Sequence, residues 1–317
     1  MRPLLLPTLP RLWRDATTLQ LGVDPDRAVV IAPVDAATAS FLSALDGQSR
    51  LDDLLASTPA TLDPVAARSL VTELVAYGAV VDVDAAGPKA PSRRRLNVLL
   101  RCRGRVGPVV AVLLAAAGVG RVAISGSGVV GPDDVAVGGL GPDDVGRPYA
   151  VATIDAVRRA APGVDTRQPG RRPPDFVVLA AGPLPIPADQ VRWATAGVAH
   201  LPVLLRDGVA IVGPLVLPGH TACLGCVEQH RRDRDPAWPV LAAQLATDQR
   251  PESAEAVVVS TAAALAAAEV VGYLAGAAPA TVGASLEIGP PGEAPRRREW
   301  EAHPRCGCRL DVPHRPR

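Results

Sequence analysis

The apolar positions of the first 84 residues come in short runs separated by turn residues. Thr18–Val23 and Ala28–Ile31 read as two short strands joined through Asp24-Pro25-Asp26, and Leu12–Asp15 adds a candidate strand before them. Asp35 is placed to cap a helix over AATASFLSALDG that stops at Gly47. A short helix is expected over Leu51–Ala56. A third begins after Asp63, with Pro64 at its first position, and places Val65, Leu70, Val71, Leu74 and Val75 on one stripe. Gly78 ends it, and AVVDV reads as a closing strand. Strands combined with three helices predict a winged-helix-like module over residues 1–84.

The pattern then changes. Ala85–Arg95, AAGPKAPSRRR, has the composition of a linker. After it, Leu96–Leu100 reads as a strand, RCRGRVG as a turn, PVVAVLLAAAGVG as a helix and RVAIS as a returning strand: a βαβ unit. Asp175–Ala180 and Leu201–Leu205 are continuous apolar runs, as in a parallel sheet covered on both faces. Residues 96–317 therefore predict an α/β domain. Ala256–Gly276 is long enough for a membrane span, but it is Ala-dominated and carries Glu269, so a long buried helix is expected. Pro3, Pro7 and Pro10 interrupt the leucines of the N-terminus and argue against a signal peptide. The expectation is a soluble, cytoplasmic protein without membrane contact.

Charge sharpens this division. The chain carries 33 basic and 32 acidic side chains, a net +1. Residues 1–88 hold six arginines against eleven acids, a charge of −5 that leaves +6 for the remainder. A winged helix that binds DNA needs a basic face. Nucleic acid is thereby excluded as its partner, whereas a peptide added as a strand along an open sheet edge has no such requirement. With 4 Trp, 3 Tyr, 2 Phe and 1 Met, the core must be built mostly from Ala, Val and Leu.

The five cysteines carry the strongest chemical signal. Cys223-Leu224-Gly225-Cys226 and Cys306-Gly307-Cys308 form two tight pairs that match a tetrahedral structural zinc site. Four unrelated thiols, or a redox CxxC with no use for the second pair, are the alternatives. The glycine turn after the first strand of the larger domain is informative by what it lacks. A dinucleotide fingerprint would read G-x-G-x-x-G, but the stretch here is Cys102-Arg103-Gly104-Arg105-Val106-Gly107. Ser125-Gly126-Ser127 stands where an acid is expected. Arg101, Arg103 and Arg105 could still attract an anion. The repeated GPDD at Asp133-Asp134 and Asp143-Asp144 reads as turn chemistry, His220 as a surface histidine, and Arg231, Arg232 and Arg234 as a solvated face.

These residues bring a family into view. The segments LLAAAGVGRV (113–122), GGLGPDDVGRP (138–148), GPLVLPGHTACLGCVEQHRRDRDPAWP (213–239) and HPRCGC (303–308) resemble the Rossmann-like, ThiF-type, ubiquitin-activating fold. They are nearest to its divergent branch in the biosynthesis of ribosomal peptides bearing thiazoles and oxazoles. Residues 1–84 resemble the recognition element that captures leader peptides in such pathways. The resemblance implies a leader paired with the third strand and packed on the third helix, here through Arg27, Val29, Val30, Ile31, Arg68, Val71 and Leu74. It also implies zinc on Cys223, Cys226, Cys306 and Cys308, and a fold that commonly dimerises. Catalytic members need the intact loop, an acid for the ribose, a magnesium aspartate and a lysine. Cys102 replaces the first loop glycine beside Gly104 and Gly107, Ala181-Gly182 replaces the expected Thr-Asp pair, and the single lysine, Lys89, lies in the linker. These departures argue against ATP. The expectation is a non-catalytic scaffold that presents a precursor peptide to a YcaO-type cyclodehydratase; the alternative is an ATP-dependent adenylyltransferase activating a carboxylate or peptide C-terminus.

Overall fold

A computed structural model describes residues 1–84, 93–170, 172–185, 187–247 and 254–309. The chain divides into two compact units, Met1–Ala90 and Pro91–Arg317. Most of the expected linker, 85–92 with Lys89, lies outside the described residues.

In the first unit, local capping chemistry sets the helices. The strands β1 (Pro3–Leu5), β2 (Arg11–Trp13), β3 (Leu19–Leu21) and β4 (Val29–Ile31) precede α1 (Ala36–Ser43), α2 (Leu51–Ala56), α3 (Pro64–Ala76) and β5 (Val80–Asp82). Asp35 caps α1 by accepting from the Thr38 N–H at 2.7 Å, and Asp63 caps α3 by accepting from Val65 at 3.0 Å. After α3, Gly78 takes φ +72, and Ala79 N–H returns to the Leu74 carbonyl. β2, β3 and β4 form an antiparallel sheet in that order, and β1 pairs antiparallel with β5. Leu21, Phe41, Leu42, Leu45, Val71 and Leu74 fill the core. The stripe expected on α3 is narrower than its apolar residues suggest. Ala67, Val71 and Leu74 are buried, whereas Val65 is 76% exposed. Two residues turn a helix by about 200°, which places Val65 nearly opposite Ala67.

The second unit is built on a seven-stranded sheet. Its elements are β6 (Asn97–Cys102), α4 (Val106–Ala116), β7 (Arg121–Ser125), α5 (Tyr149–Ala160), β8 (Phe176–Ala180), α6 (Pro187–Thr195), β9 (His200–Arg206), β10 (Val209–Val212), α7 (Leu224–Arg234), α8 (Trp238–Thr247), α9 (Ala256–Leu274), β11 (Ala284–Ile288) and β12 (Arg296–Glu299). The strand order is β12-β11-β10-β9-β8-β6-β7. β7, β6, β8 and β9 are parallel, as the apolar runs predict, but β10, β11 and β12 continue antiparallel. Alternation along β6 divides the core. Val98, Leu100 and Cys102 pack with α4 and α9, while Leu99 packs on the other face with Trp193 of α6.

α9 is long and apolar enough to cross a membrane by composition, yet it lies against α4 and the sheet with Val259, Ala262, Ala263, Ala266 and Val270 fully buried. Its Glu269 accepts from the Thr281 N–H at 2.7 Å and from the Thr281 hydroxyl. Thr281 has no exposed surface. Glu269→Leu would leave both donors buried without a partner, so it is expected to lower the unfolding free energy by about 1–3 kcal/mol per donor in chemical denaturation.

Candidate functional site

Three places gather the residues singled out by the sequence. In the first unit, β4 is an edge strand, and a groove of about 630 Å³ runs between it and α3. Arg27, Val29, Val30, Ile31 and Leu74 line it. Val71 does not, being wholly buried in the core, and Arg68 reaches away to Asp52 at 2.5 Å. Leu70, Glu73 and Tyr77, the last 72% exposed, complete the groove wall. The hydrogen-bond pattern fixes which backbone groups face it. Arg14 donates to Thr18 O, and Gly22 donates to Pro10 O, so the even-numbered backbone of β3 faces β2. Leu19 and Leu21 therefore bond to their partners Ile31 and Val29. Val30, between them, turns its N–H and C=O to the open edge.

The second place is the glycine turn. Cys102 ends β6 with its side chain in the core, 1% exposed, and burial pushes its thiol up to about 12. The lost first glycine is accommodated across the turn: a Cβ on Gly107 would fall 2.3 Å from the Cys102 Cβ. Gly104 takes φ +70. Tyr149, at the start of α5, donates its hydroxyl to the Gly104 carbonyl at 2.6 Å, and its ring lies against Gly126, where an added Cβ would come within 2.8 Å of it. Arg101 is held by Asp189 at 3.1 Å and Ser125 at 2.8 Å, and Arg105 by the carbonyls of Val135 and Ala254. Arg103 is exposed beside the N-terminus of α4, which starts without a side-chain cap. The turn and that helix end lie at the carboxyl end of the parallel strands, where β7 and β8 flank β6.

The third place is the cysteine cluster. Cys223 is the N-cap of α7, Cys226 lies in its first turn, and Cys226 N–H donates to Cys223 O at 3.0 Å. The sulfurs are 3.8 Å apart for Cys223–Cys226, 3.6 Å for Cys223–Cys306 and 3.4 Å for Cys226–Cys308, and all four lie within 4.8 Å of one another. Four thiolates about 2.3 Å from a tetrahedral zinc would lie about 3.8 Å apart, so the donor set fits that ion. Gly225 leaves room for it: an added Cβ would be 3.3 Å from the Cys306 sulfur. Burial pushes the Cys308 thiol up to about 11 and the Cys223 thiol higher.

A histidine that the sequence reading passed over organises the second pair. His303 is 5% exposed, holds Asp233 of α7 through Nε2 at 2.9 Å, and accepts the Cys306 N–H on its carbonyl. It begins HPRCGC, so its proximity to the cysteines was the available signal. His220 is exposed. The GPDD repeats form turns in which Asp134 and Asp144 accept from the Gly131 and Gly141 N–H groups. One arginine departs from the expected solvated face. Arg231 is 14% exposed, paired with Glu228 at 2.9 Å and stacked 5.1 Å from the Trp238 ring centroid.

No family model and no curated protein matches the chain. Solved structures do. MccB of E. coli aligns over 100% of this chain and 99% of its own, at 14% identity and a TM-score of 0.68. The microcin C7 biosynthetic enzyme MccB in complex with N-formylated MccA covers 98% and 100%, at 15% identity and 0.65. PaaA covers 93% and 99%, at 15% and 0.62. MccB has also been solved with ATP. These neighbours correct one expectation: the altered loop, the missing acids and the single lysine point to a non-catalytic partner, yet from end to end the chain shares the architecture of an enzyme solved with ATP. A modified turn, with Cys102 packed against Gly107, is therefore no ground for excluding catalysis. The chain has the ThiF-like fold of MccB across both of its units.

Proposed function

We propose that this protein is an ATP-dependent adenylyltransferase that captures a ribosomal precursor peptide and activates a carboxylate on it. The observation that carries this reading is the end-to-end likeness to MccB, an enzyme solved both with ATP and with MccA. The first unit supplies capture. An extended peptide adds to β4 through the Val30 N–H and C=O, and its side chains enter the groove toward Leu70, Leu74 and Tyr77. The second unit supplies activation. The N-terminal N–H groups of α4 and the Arg103 guanidinium receive the phosphates. A peptide carboxylate oxygen attacks the α-phosphorus of ATP; the bond to the β-phosphate oxygen breaks, leaving an acyl adenylate and pyrophosphate. Zinc on Cys223, Cys226, Cys306 and Cys308 is structural in this reading, joining α7 to the segment that carries His303.

Incubation with ATP, magnesium and a precursor peptide should yield pyrophosphate in a peptide-dependent manner. Release that is equal with and without every precursor encoded beside this chain would overturn the reading.

A further inference from the structure

Between β6 and α4 the backbone passes from Gly104, at φ +70, to Arg105, at φ −81 and ψ −36. Such a turn gathers successive N–H groups into a concavity that favours an anion. The N–H groups of Gly104, Arg105, Val106 and Gly107 have no acceptor among the described residues. A carbonyl oxygen turned into that concavity would repel a phosphate, and the Gly104 carbonyl is turned the other way. It accepts from the Tyr149 hydroxyl at 2.6 Å, and the same hydroxyl meets the Cys102 thiol. Tyr149 is 2% exposed and Cys102 1%, so this carbonyl points into the domain. In a trans peptide unit the C=O and N–H lie on opposite sides, so fixing the Gly104 carbonyl aims the Arg105 N–H outward.

We infer that Tyr149 is a positioning residue for a nucleotide's phosphates: its hydroxyl orients the Gly104–Arg105 peptide unit so that the N–H, and not the C=O, faces them. The first glycine of the fingerprint normally shapes the turn beneath the phosphates. Here Cys102 stands in its place, and α5 supplies the anchor instead. Gly126 leaves room for that anchor, since an added Cβ there would meet the Tyr149 ring at 2.8 Å. The inference rests on the reading of this turn as the phosphate site, and not on what the bound ATP is then used for.

Equilibrium dialysis of labelled ATP against the full chain, with magnesium present and pyrophosphate as competitor, tests it. Tyr149→Phe keeps the buried ring and removes only the hydroxyl. Its affinities for ATP and for pyrophosphate are expected to fall together, by at least about fivefold. In pyrophosphate exchange the same variant should raise the KM for ATP and leave that for the peptide unchanged, a split that a loss of stability alone would not produce. Four results would overturn the inference: no saturable ATP binding by the unsubstituted chain, ATP affinity unaltered in Tyr149→Phe, both KM values rising alike, or ATP affinity lost while pyrophosphate affinity is kept. The last would place Tyr149 at the nucleoside. The expected losses of binding in a chain that shows no peptide-dependent exchange would uphold the inference and overturn the adenylation reading.

Discussion

Cys223→Ser is expected to reduce the zinc content from about one ion per chain to none and to lower the stability of the second unit. The sulfur separations of 3.4–3.8 Å already suit a tetrahedral ion, so the site is preorganised and its metal linked to folding. At free zinc a thousandfold above the dissociation constant, binding contributes about 4 kcal/mol. For a unit of this size that corresponds to a fall in Tm of about 8–16 °C. Acid should act in the same direction. Binding requires thiolates, so protons compete with the ion for the four sulfurs as pH falls and the ion is released. Cys102→Ala is the control: Cys102 lies in the α4–α9 core, outside the cluster, so this variant keeps its zinc. Metal analysis and thermal unfolding of the three proteins check the prediction. A full zinc complement in Cys223→Ser would refute the four-cysteine site.

Val30→Pro is the second variant with a large expected effect. The Val30 N–H faces the open edge and is not used in the ladder to β3, so proline costs the sheet little while removing the outward donor at the middle of β4. Peptide capture by strand addition should weaken at least about tenfold with Tm nearly unchanged. Tyr77→Ala, on the opposite wall and 72% exposed, should weaken capture through lost apolar contact without disturbing the core. Fluorescence polarisation with a labelled precursor peptide reads both. Unaltered affinity in both variants would move the peptide away from this groove.

Features set by neighbouring residues were the most legible in the sequence. Asp35, the Asp63-Pro64 pair and the CxxC and CxC spacings each act within a few residues, and the structure places them where local chemistry requires. The strands missed have distant causes. Pro3–Leu5 becomes a strand only because Val80–Asp82 pairs with it, and Arg296–Glu299 has no apolar pattern, being held through its register with Ala284–Glu287. One missed strand did carry a signal. Asp207 and Gly208, at φ 55 and 75, make the two-residue hairpin turn that Asp-Gly favours, and β10 follows at once.

The sites divide in the same way. Arg27, Val29, Val30, Ile31 and Leu74 share a groove because it runs along the open edge of β4 beside α3, but Arg68 and Val71 could be placed only by the packing of α2 and the core. The glycine turn reads from its missing glycine and from the acids and lysine that do not accompany it. Whether a Cys at 102 blocks the turn depends on Gly107, five residues on, and on Tyr149, which closes over Gly104 from another helix. His303 stood beside the cysteines in sequence, yet its bond to Asp233 crosses 70 residues and needs the fold to form it. Arg231 likewise became half of a partly buried pair only through Trp238 and Glu228.

Isotope exchange between labelled pyrophosphate and ATP, in the presence of magnesium and a precursor peptide, tests the central claim most directly. Adenylation is reversible while the acyl adenylate stays bound, so label enters ATP only if the carboxylate has displaced pyrophosphate. The account predicts exchange that requires the peptide, falls by at least about tenfold in Arg103→Ala, and in Val30→Pro needs a higher peptide concentration to reach the same rate. Exchange at background with a peptide shown to bind the groove would contradict it.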